Sequence, residues 1–62
     1  GADRIRIKSE VNEDLKTKIY SLTGRLVLEG VFQSDQDIDV SNLSSGLYLV
    51  QVNGLTIKFS KK

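Results

Sequence analysis

The side chains most often used in catalysis are sparse in this sequence. It contains no histidine and no cysteine, so the common Ser-His-Asp triads and thiol nucleophiles are excluded. Glu13 and Asp14 are adjacent acids, but their polar segment offers no rigid support for an acid/base pair. The five glycines are scattered and form no phosphate-binding loop. We therefore predict that the chain is not an enzyme, with no catalytic residue and no cofactor.

A run of alternating acids is the best candidate for a metal site. Asp35, Asp37 and Asp39 are spaced like the first ligands of an EF-hand calcium loop. That loop also needs Gly at its sixth position and Glu at its twelfth, whereas Val40 and Gly46 stand there. The alternative is a strand in which Asp37 and Asp39 simply point outward together. Since zinc would lack its usual His and Cys ligands, we predict no metal site.

Basic residues alternate along the N-terminal segment. Arg4, Arg6 and Lys8 form a stripe, which Lys16 and Lys18 extend if they lie on a neighbouring strand. Such a stripe either meets phosphate or an acidic partner, or protects an edge strand from pairing with other chains. We favour a solvated strand face. Nine basic and eight acidic side chains leave a net charge of +1, which argues against a nucleic-acid partner.

The chain of 62 residues makes one domain close to the lower size limit for independent folding. Its apolar runs are too short to span a membrane. Gly1-Ala2 is interpreted as a scar from the cleavage of an expression tag, which leaves residues 3–62 as the domain.

The clearest structural pattern is a hairpin near the C-terminus. Asn53-Gly54 lies between two alternating runs, and this dipeptide is typical of a two-residue type I′ turn, whose central residues both take positive φ. The predicted register places six apolar residues on one face, in three facing pairs: Val52 and Leu55, Val50 and Ile57, and Tyr48 and Phe59. We expect this face to be half of a buried core.

Four further strands are predicted before this hairpin, at residues 4–8, 15–21, 25–32 and 37–41. Polar loops separate them, and the sequence contains no proline and no convincing helical period. Turn signals recur about every ten residues, as in small sandwiches. The predicted fold is therefore an all-β, immunoglobulin-like β-sandwich of about six antiparallel strands.

Two registers are open for the second hairpin. Ser21 to Gly24 fits a type I turn whose Gly, in the left-handed conformation, makes a bulge, so that Ile19 faces Val27 and Leu15 faces Val31. A two-residue loop at Thr23-Gly24 would instead pair Ile19 with Leu28, and Lys18 with Glu29. The bulged form is preferred because Thr is unfavourable at positive φ.

Tyr48 comes just inside a strand, after a turn that contains Leu43 and Gly46. This placement is typical of the tyrosine corner, in which the hydroxyl bonds back to the preceding backbone. The alternative is that Tyr48 is only a large core side chain.

Several apolar residues are expected on the outside of the sandwich, where they would form a docking patch if contiguous. The alternative is that a loop or an absent N-terminal strand covers them. They are Tyr20, Leu26, Leu28, Leu47 and Leu49.

Three blocks of sequence occur in the order and spacing of one family. They are residues 19–27, residues 38–52 and the terminal Asn-Gly hairpin that ends in Lys61-Lys62. Over about residues 5–62 the chain resembles the C-terminal sorting domain of type IX secretion (the Por secretion system), found in Bacteroidota. Ser21 replaces the family's usual Asp. The family's opening Tyr-Pro-Asn-Pro segment and first strand are missing, so the domain is expected to lack that strand.

The resemblance implies an address and not an activity. Such domains end large secreted proteins, are recognised by an outer-membrane translocon, and are removed by a sortase-like peptidase that joins the cargo to anionic lipopolysaccharide. The implied partners are this translocon, this peptidase and an N-terminal cargo protein, and the implied location is the cell surface or outside. The edge left by the missing strand would also favour dimerisation by strand exchange.

The resemblance further implies which parts the translocon contacts, namely the Gly24-Arg25 turn and the last hairpin. The implied contact residues are Arg25, Lys58, Lys61 and Lys62, with Gly24 and Gly46 setting the shape and Tyr48, Asn53 and Gly54 in structural roles. The alternative function is a stand-alone adhesive or carbohydrate-binding β-sandwich. It predicts a groove lined with exposed aromatic rings, for which Tyr20 is the one candidate.

Overall fold

The computed structural model describes residues 3–10 and 13–61. Within them the chain forms six strands, in the order β1 (Arg4–Ile5), β2 (Leu15–Ser21), β3 (Leu26–Phe32), β4 (Ile38–Asp39), β5 (Gly46–Val52) and β6 (Leu55–Lys61). These residues contain no helix that could cross a membrane. The interpreted tag scar, residues 1 and 2, lies outside the described residues, as does Lys62.

The strands form two antiparallel sheets. The larger has the order β3-β2-β5-β6, and the smaller pairs β1 with β4. The prediction of a small all-β sandwich is therefore confirmed. The first and fourth strands are shorter than the predicted 4–8 and 37–41, although backbone hydrogen bonds continue beside them. One runs from the Asp35 amide to the Ile7 carbonyl (2.9 Å), and another from the Val40 amide to the Asp3 carbonyl (2.8 Å).

The core lies between the two sheets and follows the two-residue period of the strands. On β2, Leu15, Thr17 and Ile19 are buried, while the lysines between them are exposed. Ile5 and Ile7 pack against this core from the other sheet. The buried apolar residues are Leu15, Ile19, Ile38, Val40, Tyr48, Val50 and Val52. Removing a side chain of this size from water stabilises the fold by about 1.5–3 kcal/mol.

The C-terminal hairpin has the predicted turn and register. Asn53 (φ 47°) and Gly54 (φ 91°) both take positive φ, and Val50 pairs with Ile57. The predicted burial is only half right, since Leu55 and Ile57 are 72% and 52% exposed. The physical reason is that β6 is an edge strand, and the two-stranded second sheet is too narrow to cover it as well as β2 and β5.

The turn between β2 and β3 is the predicted type I turn. The Gly24 amide donates to the Ser21 carbonyl (2.9 Å), and Gly24 is left-handed at φ 88°. The predicted register beyond this turn is wrong, because a second irregularity lies between Ile19 and Tyr20. Val27 has no partner in the ladder there, which shifts every later pair by one residue.

The shift decides which side chains of β3 face the core. Ile19 pairs with Leu28 and Lys18 pairs with Glu29, which are the two pairs of the alternative register. Leu15 pairs with Phe32 instead of Val31. Leu28 and Phe32 consequently pack against the core, whereas Val31 is 59% exposed. The expectation that Leu28 faces outward is therefore also wrong.

The N-terminal cations are held by an acidic neighbour. The Arg6 guanidinium donates to the Asp37 carboxylate, and Arg4 lies 3.8 Å from it. The hydrogen bond from Arg6 lowers the pKa of Asp37, and the charges of Arg6 and Arg4 lower it further. The predicted extension of the stripe to Lys16 and Lys18 is wrong, because β1 pairs with β4 and the lysines project from the outer face of the other sheet.

Replacing Gly54 by Val tests the type I′ turn. A Cβ there would contact nothing within 4 Å, so the cost comes from holding a β-branched residue at φ 91°. We expect the free energy of unfolding, measured by urea denaturation, to fall by about 1–3 kcal/mol. The control is Thr56→Val, which introduces the same valine side chain at an exposed strand position. It should change the free energy of unfolding little. An unchanged urea midpoint for Gly54→Val would contradict the assigned turn.

Candidate recognition surface

Three separate segments meet at one end of the sandwich. Ser21 pairs with Tyr48, and Gly46 pairs with Lys61. The turn at residues 21–25 therefore lies beside the start of β5 and the end of β6, together with the loop at residues 41–45. Below, "the C-terminal end" means this whole end of the sandwich, which comprises residues 21–25, 41–47 and 59–61.

Most of the residues that the sequence suggested for recognition lie here. Gly24, Arg25, Gly46 and Lys61 belong to the C-terminal end, and Lys58 faces Leu49 a short distance along β6. The Asn53-Gly54 turn is at the opposite end, because the hairpin runs through seven residue pairs between Gly46 and Leu55. Lys62 is outside the described residues.

Tyr48 makes the predicted corner. Its hydroxyl donates to the Ser44 carbonyl (2.6 Å) and lies 3.3 Å from the Ser44 hydroxyl. The ring is buried, and its centroid lies 6.0 Å from that of Phe59. Tyr48 is thus both a core side chain and the tie that holds the loop against β5.

Lys61 is a second tie to the same loop. It is only 7% exposed, and its ammonium group donates to the carbonyl oxygens of Leu43 and Ser41, the latter at 3.4 Å. A charged group buried this far requires such partners. The positive charge of Lys61 is therefore used to fix the loop, whereas Lys58 remains exposed.

The loop itself is closed by local hydrogen bonds. The Leu43 amide donates to the Val40 carbonyl (3.0 Å), and the Ser41 amide donates to the Asp39 carboxylate (2.9 Å). The hydrogen bonds from Ser41 lower the pKa of Asp39. Gly46 then leaves the loop at φ 146°, a conformation that favours glycine. These bonds give residues 41–45 one defined shape.

The turn at residues 21–25 is also fixed, and Ser21 supplies the oxygen that fixes it. The Arg25 amide donates to the Ser21 hydroxyl (3.2 Å), which lies 2.8 Å from the Thr23 hydroxyl. Ser21 thus accepts from the turn backbone as a short acidic side chain would. Arg25 is exposed, and no described carboxylate is within ion-pair distance of it.

An apolar row crosses the outer face next to this end. Leu26, Tyr20 and Leu49 face one another on three neighbouring strands. Leu26 and Leu47 are 45% and 49% exposed. Leu22, in the turn, is 63% exposed and was not singled out from the sequence, because an apolar residue inside a turn carries no periodic signal. The C-terminal end thus combines a cationic side chain with exposed apolar surface.

The alternating acids have separate partners. Asp37 is bound by the N-terminal arginines, and Asp39 accepts from Ser41. Among the described residues, no group of three acidic side chains is placed to hold a metal ion.

A broad hollow lies on the outer face of the large sheet. Its described lining includes Lys18 and Glu29, whose charged groups lie 3.7 Å apart. No aromatic ring lines it in the described part of the chain. A sugar-binding groove would need such a ring, and Tyr20 is half-buried in the apolar row.

The family model described as "Secretion system C-terminal sorting domain" matches residues 1–62. Comparisons with curated proteins and with solved structures give no match.

Replacing Lys61 by Met tests the second tie. Met keeps most of the buried stem but removes the ammonium donors, which leaves the Leu43 and Ser41 carbonyls without this partner. We expect the free energy of unfolding to fall by about 1–3 kcal/mol. The control is Lys58→Met on the same strand, which should leave stability within about 0.5 kcal/mol because Lys58 is exposed. Equal effects of the two substitutions would contradict the assigned tie.

Proposed function

Because the chain belongs to the family of secretion-system C-terminal sorting domains, we propose that its C-terminal end is the surface that the type IX outer-membrane translocon recognises. Membership makes the domain a sorting signal for type IX secretion, attached to a cargo protein that crosses the outer membrane to the cell surface or beyond. The family is not a catalytic one.

The observation that carries the proposal is the convergence of three segments at one end. Hydrogen bonds fix the turn at residues 21–25 and the loop at residues 41–45, so their surface is preorganised and little conformational entropy is lost on binding. Arg25 supplies an exposed guanidinium group there. Arginine beside exposed apolar surface is typical of the central residues of protein interfaces.

The roles of the individual residues follow from their burial. Arg25 and Lys58 are exposed and act as contacts. Lys61, Gly24 and Gly46 act by shaping the surface, since the first is buried and the glycines have positive φ. Lys62 is proposed as a further contact with the translocon, and this proposal rests on the resemblance alone.

We further propose that a sortase-like peptidase removes the domain as the cargo is joined to the cell surface. What supports this step is the resemblance, together with a core that residues 3–10 and 13–61 form among themselves. Since that core includes no cysteine, no disulfide holds it to a cargo.

Export of a reporter protein tests the recognition surface. The parent domain, with its native upstream segment, is fused to the C-terminus of the reporter in a type IX-competent cell. We expect Arg25→Ala combined with Lys58→Ala to reduce surface display about tenfold or more, since loss of interface contacts of this kind costs over 1 kcal/mol. The mass of the displayed reporter shows whether the domain has been removed.

The control is Lys16→Ala, which removes one exposed charge from the outer face far from the C-terminal end. It should be exported like the parent, and urea denaturation should show that all variants stay folded. Normal display of the double variant would contradict the proposed surface. A parent fusion that stays in the periplasm would contradict the sorting function itself.

A further inference from the structure

A second surface lies along β6 and adjoins the C-terminal end at Phe59. A groove of about 350 Å³ runs between residues 5–8 and this strand. Its floor is apolar and its borders are basic. The apolar lining residues are Ile5, Ile7, Val50, Ile57 and Phe59, and the basic ones are Arg6, Lys8 and Lys58.

The groove is the place where the sandwich is left open. Ile57 faces the same side of the sheet as the buried Val50, yet Ile57 is 52% exposed. Leu55 continues the same face and is 72% exposed. A strand added beside β6 would cover this row with its own inward-facing side chains.

The backbone of β6 is available for such a strand. β6 is the last strand of its sheet, and among the described residues its ladder pairs it with β5 alone. After a two-residue turn the closing pair, Val52 with Leu55, is hydrogen-bonded, and bonded and non-bonded pairs then alternate. Thr56, Lys58 and Ser60 therefore direct their amide and carbonyl groups toward the free edge.

The basic side chains around the groove indicate the kind of segment that would bind there. The described residues that line the groove include three cations and no carboxylate. Arg6 is bound by Asp37, whereas no described carboxylate forms an ion pair with Lys8 or Lys58. A second copy of β6 would bring its own Lys58 to the same edge. Like charges are thus opposed to self-pairing, and an acidic segment is favoured.

We propose that an extended, acidic segment of a partner protein binds as an added strand along the free edge of β6. Its alternate apolar side chains lie in the groove against Ile57 and Ile5, and its carboxylates lie on the outer side near Lys58 and at the border formed by Lys8. Strand addition of this kind draws affinity from the backbone and specificity from alternate side chains. The proposal rests on the proposed function only for the source of the segment, which is the translocon.

A model peptide tests the binding separately from export. The probe is a blocked seven-residue peptide of alternating valine and glutamate, matched to the length of β6. A peptide of alternating valine and lysine is its control. We expect saturable binding of the acidic peptide alone, measured by fluorescence anisotropy.

Amide hydrogen exchange identifies the edge used. In the free protein the amides of Thr56, Lys58 and Ser60 should exchange fast, and the acidic peptide should protect them. The amides of Ile57 and Phe59 point to β5 and should be protected throughout. Protection that appears elsewhere, or none at all under saturating peptide, would overturn the proposal.

Three variants complete the test. Ser60→Pro removes one edge donor without touching the ladder to β5, and it should abolish or strongly weaken binding. Lys8→Glu combined with Lys58→Glu should weaken binding roughly tenfold. Ile57→Ser should weaken it too. Val31→Ser, at a position of similar exposure on the opposite edge strand, should not. Equal effects of the two serine substitutions would contradict the assigned groove.

The remaining outcomes are also decisive. A concentration-dependent dimer that the acidic peptide cannot dissociate would overturn the proposal in favour of a second copy. If the peptide binds as expected but the reporter fusion is not exported, the sorting function fails and the strand site stands. If export is normal but the acidic peptide does not bind the parent domain, the strand site alone fails. The same holds if the peptide binds and no substitution on β6 weakens its binding.

Discussion

The turn at Asn53-Gly54 is joined to the start of β2 by hydrogen bonds from one residue. The Asn53 carboxamide accepts from the Lys16 amide (2.9 Å) and donates to the Asp14 carbonyl (3.2 Å), while the Asn53 amide donates to the Lys16 carbonyl (3.0 Å). Asn53 thus combines the positive φ that the turn requires with the attachment of the hairpin to its neighbouring strand. Because side chains alternate along a strand, fixing this register fixes which residues of β5 and β6 face the core.

The consequences reach the opposite end of the sandwich. Tyr48 and Lys61 lie on the core side of their strands, and both reach the loop at residues 41–45 through hydrogen bonds. That loop is therefore held by hydrogen bonds from two core-facing side chains, while the Gly24-Arg25 turn is held by its own bonds to Ser21. A sorting signal needs no reactive group, which agrees with the absence of histidine and cysteine from the sequence.

The elements that local sequence determines were predictable. The Asn-Gly turn, the type I turn before Gly24 and the tyrosine corner each depend on a few adjacent residues. The second irregularity, between Ile19 and Tyr20, was not predictable from local sequence. It depends on which side chains of β3 pack into the core, which is a tertiary effect. Exposure of β6 depends on the width of the other sheet, which local patterns do not encode. The inward position of Lys61 could have been predicted, because Lys61 is two residues from Phe59 on the same strand and faces the same side. A lysine near the end of a strand is, however, more readily interpreted as a surface contact.

The most direct measurement of the central claim is the stability of Asn53→Gly. Glycine adopts positive φ more easily than asparagine, so the turn conformation is retained while the carboxamide bonds to β2 are lost. We expect the free energy of unfolding to fall by about 1–2 kcal/mol and the Lys16 amide to exchange faster. A variant as stable as the parent, or more stable, would show that the turn acts through its backbone alone and would contradict the claim.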